Sequence, residues 1–139
     1  MNATDELLLL NARFYEAVED ADINSLEAVW SNTDVPQCIH PGWEALKGWG
    51  AIRRSWEAMF ASGDPIRISL RKVSGRVSGT LGIVLLEEEI TMGRMPAVQV
   101  VRAVATNIFE HDGTTWRMIH HHSSPVLAVD EDNLRHWFN

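Results

Sequence analysis

Apolar residues recur at helical spacing in the first part of this chain and at alternate positions in the last. Over residues 4–20, Leu7, Leu10, Phe14, Ala17 and Val18 share one side of a 3.6-residue repeat, while Asp5, Glu6, Arg13, Glu16 and Glu19 lie mostly elsewhere. That pattern predicts an amphipathic helix with Thr4 as its N-cap. A shorter helix over 23–30 follows, with Asn24 and Glu27 at capping-box spacing. Residues 36–40 read as a short strand. Trp49, Ile52, Trp56, Met59 and Phe60 then form the apolar stripe of a third helix over 49–61, which Ser62-Gly63-Asp64-Pro65 stops.

Beyond Pro65 the period falls to two. Ile66, Ile68 and Leu70 alternate with Arg67, Ser69 and Arg71, and β-rich runs follow at 82–92, 97–109 and 115–123. The turns between them, Ser78-Gly79-Thr80, Gly93-Arg94-Met95-Pro96 and His111-Asp112-Gly113-Thr114, are hairpin-sized and too short for parallel crossovers. Helices first and strands afterwards predict an α+β fold, three helices packed on one face of a curved, mainly antiparallel sheet that encloses a pocket. No repeat or linker divides the chain, so residues 1–139 read as a single domain.

Composition narrows the function classes. A net charge of -7 without any long Lys/Arg cluster argues against nucleic acid as a partner. The first apolar run, Leu7 to Leu10, is far too short for a membrane span or a secretory signal, and the single Cys38 forms no internal disulfide. The expectation is a cytoplasmic protein without a membrane partner. Six tryptophans against one tyrosine favour an aromatic-lined interior.

Two motifs carry candidate chemistry. In Cys38-Ile39-His40-Pro41-Gly42-Trp43 an imidazole stands where a strand gives way to a turn: Pro41 restricts His40 to an extended conformation and Gly42 tolerates the reversal. Such a histidine is either a hydrogen-bonded strand end or a base able to exchange a proton near neutrality. In His120-His121-His122, strict alternation sends His120 and His122 one way with Trp116 and Met118, toward the pocket, and His121 to the outer face. On the preceding strand Ala103, Ala105 and Asn107 share the pocket side and the alanines leave room there. His40, His120 and His122 read as a hydrated structural network, as a metal-free acid/base or ligand site, or, less well for want of a carboxylate, as a metal site. Cys38 near His40 reads as buried packing rather than a nucleophile, and Glu87-Glu88-Glu89 as a solvated stretch.

Phe14-Tyr15-Glu16-Ala17 followed by Asp22, the helix end at Trp30, the hexapeptide at 38–43, Gly48 with Ile52, and Asn107-Ile108-Phe109 leading to the 120–125 ending together resemble the cystatin-like superfamily. That superfamily contains nuclear transport factor 2, ketosteroid isomerase and the SnoaL-like proteins, and these residues look more like the SnoaL-like, ketosteroid-isomerase-related members than like transport factors. The resemblance covers essentially the whole chain and implies a cone-shaped fold. The fold hosts isomerases, dehydratases and cyclases as well as binding modules. Ketosteroid isomerase uses a carboxylate base, with a tyrosine and a protonated aspartic acid as donors. Its tyrosine falls at Phe14, its base at His40 and its aspartic acid near Asn107, so one donor is lost. Tyr15, about 100° round the helix, does not replace it without a shift of register.

The resulting expectation is a SnoaL-like protein acting without cofactor or metal as an acid/base catalyst on a small apolar carbonyl compound. His40 would move the proton, Asn107 would donate to the oxyanion, and His120 with His122 would orient the base or protonate the product. Phe14, Trp30, Trp43, Trp56, Ala105, Trp116 and Met118 would line the pocket. The alternative is a non-catalytic module of the same fold that holds a small ligand or dimerises. Either way the resemblance implies a homodimer.

Overall fold

The computed structural model describes residues 1–127 of the chain. Helix α1 (Ala3–Glu19) buries Leu7, Asn11, Phe14, Tyr15, Ala17 and Val18, a stripe wide enough to take Phe14 and Tyr15 together. Its N-cap is Asn2, not Thr4: the Asn2 side chain accepts from the Asp5 amide at 2.8 Å, which draws Thr4 into the first turn. Helix α2 (Ile23–Val29) is capped by Asp22, whose carboxylate takes the backbone N–H and the hydroxyl of Ser25. Asn24 and Glu27 therefore lie inside the helix. Helix α3 (Trp49–Ala61) has the predicted bounds.

Strands β1 (Gln37–Ile39), β2 (Leu46–Lys47), β3 (Ile66–Ser78), β4 (Leu81–Met92), β5 (Gln99–His111) and β6 (Trp116–Pro125) form one sheet in the order β2-β1-β6-β5-β4-β3. The two-residue β2 is too short to register in the apolar pattern. β1 runs parallel to β6 and the other neighbours are antiparallel, so the sheet is mixed with an antiparallel majority. Together with the three helices packed on it, this is the α+β, cystatin-like architecture expected from the sequence.

Helix α1 sits directly on β3 and β4. A Cβ at Gly82 would lie 2.6 Å from Leu7 Cδ1, and one at Gly75 would lie 2.9 Å from Leu8 Cδ2, so these two strand glycines admit the helix. At one end of the interior Phe14, Trp30, Trp49, Trp116, Phe109 and Met118 fill a solid core. Toward the other end the β5 row narrows to Ala105 and Ala103, and a hollow opens. Among the described residues no helix is long and apolar enough to cross a membrane.

The decisive departure from simple alternation is a β-bulge in β6. Phe109 faces Met118 across the β5–β6 ladder, but Ile108 faces His120, so Ile119 is an extra residue. An extra residue reverses the parity of everything after it. Trp116 and Met118 point inward; beyond the bulge His121 and Ser123 point inward, buried to 4% and 1% exposure, and His122 is exposed. The expected pocket row of His120 and His122 is therefore replaced by His121 and Ser123.

Candidate functional site

The hollow between the helices and the sheet is a cavity of about 330 Å³, at the lower end of small-molecule sites. Its mouth is flanked by Trp43, Met92 and Gln99, all exposed. Its walls are apolar, from Phe14, Val18, Trp56, Met59, Ile66, Ile68, Ile90 and Val101, and its buried polar groups are Tyr15, His40, Glu88, His121 and Ser123.

His40 stands one residue beyond β1, where Gly42 adopts φ +82° and the Trp43 amide closes the turn on the His40 carbonyl at 2.9 Å. Its ring is held edge-to-face between Trp43 and Trp56, with centroids 4.8 and 4.6 Å away. Ser55 gives its hydroxyl proton to the Ile52 carbonyl at 2.6 Å, so the 2.9 Å contact between Ser55 Oγ and His40 Nε2 is donated by the imidazole. Nδ1 then carries the lone pair. Its nearest partner, the Cys38 thiol, is 3.9 Å away and close to equidistant from both ring nitrogens. Burial lowers the His40 pKa to about 4. The Cys38 thiol is pushed up by burial and by the charge of Glu88, and stays protonated.

Glu88 is the residue that the reading of 87–89 as a solvated stretch missed. It is 3% exposed and accepts from the Tyr15 hydroxyl at 2.6 Å and from the Ser123 hydroxyl. Its signal was parity: Gly82, Val84, Leu86, Glu88 and Ile90 form one period-two row facing the helices, and Glu87 and Glu89 belong to the other. Glu88 reaches Ser123 across an intervening strand. β4 and β6 are two strand spacings apart, about 10 Å, and the residues of β5 between them are Ala103, opposite Glu88, and Ala105, opposite Ser123. The room left by the alanines is thus taken by the Glu88 carboxylate. Burial raises the Glu88 pKa, and the hydrogen bonds from Ser123 and Tyr15 oppose the rise.

Proton counting orders the rest of the network. A carboxylate only accepts, so Tyr15 donates to Glu88 and receives from Asn107 Nδ2 at 3.0 Å. The second Asn107 amide proton goes to Asn11 Oδ1 at 2.9 Å. The Asn107 carbonyl accepts from His121 Nδ1–H at 2.6 Å, which leaves the lone pair on His121 Nε2. His121 is packed on Phe14 with centroids 4.9 Å apart. Burial above all, then the nearness of His40, His120 and His122, lowers its pKa to about 3. Burial and the Glu88 charge raise the Tyr15 pKa well above its ordinary value.

Of the residues expected at the site, His40, Phe14, Trp43 and Trp56 line the cavity. Trp30, Ala105, Trp116 and Met118 do not; they are core, on the solid side of the fold or beneath Glu88. Asn107 is fully buried with both amide protons committed inside the protein, so it has none for an oxyanion. His120 and His122 lie on the outer side of β6 with ring centroids 6.2 Å apart, removed from His40 by the bulge. That separation dissolves the three-histidine set, and among the described residues no other group of three His, Cys, Asp or Glu is arranged to hold a metal ion. Tyr15 does enter the cavity without a register shift, because the polar end lies beside both Phe14 and Tyr15.

Comparison with known proteins accords with this architecture. A provisionally assigned dehydratase of the nuclear transport factor 2-like family from Streptomyces avermitilis superposes with a TM-score of 0.83 at 34% identity, over 90% of this chain and 96% of that one. A provisionally assigned calcium/calmodulin-dependent protein kinase type II association domain from Thiobacillus denitrificans gives 0.75 at 30% identity, over 85% and 93%. The F-box protein SKIP8 of Arabidopsis thaliana is 25% identical over 133 residues, covering 96% of this chain and 55% of its own length, so the chain spans about half the length of that curated relative. The model of the SnoaL-like domain matches residues 8–128. With the helix-on-sheet cone and its hollow, that match makes the chain a member of the SnoaL-like family in the nuclear transport factor 2-like superfamily.

Proposed function

We propose that the cavity is the active site of a cofactor-free acid/base enzyme of dehydratase or isomerase type, acting on a small, largely apolar carbonyl compound. The observation that carries this reading is Glu88: a carboxylate at the polar end of an apolar cavity, made more basic by burial and aimed by two hydroxyls. Glu88 accepts a proton from the carbon next to the substrate carbonyl and returns it to a leaving hydroxyl or to another carbon. His40 and His121, neutral at physiological pH, act on bound ligand through their free lone pairs. The resemblance to a dehydratase supports the same class. A test that needs no knowledge of the substrate is hydrogen exchange at the α-carbon of small cyclic ketones in heavy water, followed by NMR. Catalysed exchange above the buffer rate is expected, and exchange no faster than buffer would sink the reading.

A second reading, compatible with the first, is self-association through the outer face of the sheet. Leu85 and Val104 are about half exposed there, with Leu81 and Ile83 close behind at 42% and 38%, and burying such a row is what a symmetric interface does. Sedimentation is expected to give a dimer that Leu85→Glu converts to monomer. A monomeric parent protein would remove this reading and leave the cavity untouched.

A further inference from the structure

The polar end of the cavity is an array of acceptors. The Tyr15 proton is given to Glu88, the Ser123 proton to Glu88, the Ser55 proton to Ile52, and both Asn107 amide protons to Tyr15 and Asn11. The two imidazole protons are likewise committed, to Ser55 and to Asn107. The Trp56 indole N–H, although its ring forms part of the wall, is covered and unpartnered. What these side chains have left to offer a ligand is therefore the His121 Nε2 lone pair, the Glu88 carboxylate and the His40 Nδ1 lone pair, whose neighbour within the protein is the Cys38 thiol at 3.9 Å.

Resting on the reading of this cavity as a substrate site, we infer that its ligand carries a neutral hydroxyl that enters first and donates its proton to His121 Nε2 or His40 Nδ1, with the apolar body filling the cavity toward Trp43. A carbonyl oxygen brought to the same place finds no donor and loses its hydration without replacement. Burial keeps both imidazoles unprotonated at neutral pH, which preserves the array. For a β-hydroxy carbonyl compound the arrangement completes a dehydration. Glu88 removes the proton from the carbon between the carbonyl and the carbinol carbon, the C=C bond forms as the C–O bond breaks, and the Glu88 proton passes to the departing oxygen to make water. The histidine that holds the hydroxyl hydrogen leaves an oxygen lone pair turned to Glu88. Protons balance and no oxidant is needed.

A shape-matched series tests this in the 139-residue chain: indanol, indanone, methoxyindane and the ammonium form of aminoindane, each titrated at neutral pH against tryptophan fluorescence, which Trp43 and Trp56 at the cavity supply. Indanol is expected to bind about tenfold more tightly than the ketone and the ether, which lack the donor. Removal of both acceptors, His121→Phe with His40→Leu, should bring the three close to parity. Should that variant not fold, the comparison of alcohol, ketone and ether on the parent protein decides. Equal or tighter binding of the ketone or ether, tighter binding of the ammonium, or no binding of any of the four overturns the inference. Preferential binding of indanol with no α-carbon exchange would leave this inference standing and remove catalysis; catalysed exchange with no preference for the alcohol would do the reverse.

Discussion

Glu88→Gln is expected to lower catalysed α-carbon exchange by about 10²- to 10⁴-fold, the range a positioned general base contributes. The substitution keeps shape and volume at a position that is 3% exposed, yet removes the only carboxylate that lines the cavity among the described residues. The choice of Glu88 over His40 rests on basicity. An imidazole whose pKa burial has lowered to about 4 is a weak proton acceptor, whereas the same burial makes a carboxylate a stronger one. Tyr15→Phe supplies the matching half of the test. It leaves the base and withdraws one of its two hydroxyl donors, and its effect on exchange should be smaller than that of Glu88→Gln. Near-ultraviolet circular dichroism of both variants controls for folding. Exchange at the parent rate in Glu88→Gln would remove Glu88 from the mechanism.

Acid should unfold this protein well before its surface carboxylates are all protonated. His40 and His121 are buried neutral, with pKa values of about 4 and about 3 against an ordinary 6.5. As pH falls below 6.5 the unfolded chain takes up protons that the folded chain refuses. The stability these residues contribute is therefore complete above the unfolded value and is lost as pH falls toward the folded ones. At 1.36 kcal/mol per unit, His40 accounts for roughly 3 kcal/mol and His121 for roughly 5 kcal/mol by the time each folded value is reached, out of a total that is roughly 5–15 kcal/mol for a domain. Glu88 works in the opposite sense: its pKa is raised in the fold, so it contributes stability when protonated and loses it as pH rises through the folded value. One carboxyl with opposing hydrogen bonds offsets only part of the histidine loss. Urea denaturation between pH 6.5 and pH 4 should show stability falling steeply in the parent and less steeply in His40→Leu, where Ser55 keeps its own bond to Ile52. A flat profile, or identical slopes in the two proteins, would contradict this account.

The fold was legible because burial imposes a period on the sequence. The stripe from Trp49 to Phe60 and the alternation after Pro65 are direct records of which side faces the core. The site was legible only in part. His40 stood out because Pro41 and Gly42 mark its turn, and the inward row of β5 follows its alternation, but Gln99 and Val101 of that row line the cavity while its alanines lie beneath Glu88. Three things were hidden. Glu88 was disguised by flanking glutamates, although its row of apolar neighbours gave its side away. Tyr15 was set aside on the assumption that the polar end lies along one helical line, whereas the stripe buried by α1 spans Phe14 and Tyr15 together. The inward histidine was misplaced because a bulge belongs to the pairing of two strands and leaves no period in either one.

That bulge also bears on how the pocket changes during evolution. With Ile119 set aside as the bulge, the second half of β6 offers His121 and Ser123 to the cavity; loss of Ile119 would close the bulge and keep both inward, whereas pairing Ile119 in a regular ladder would turn His120 and His122 inward and carry His121 outside, together with the serine that steadies Glu88. Whether this strand is bulged or regular at Ile119 thus decides the chemistry of the cavity without substituting any residue in it. Relatives that pair this strand without the bulge, or bulge it elsewhere, can therefore share the histidine run and still present different groups to the cavity, so they are better grouped by strand register than by the letters they have in common.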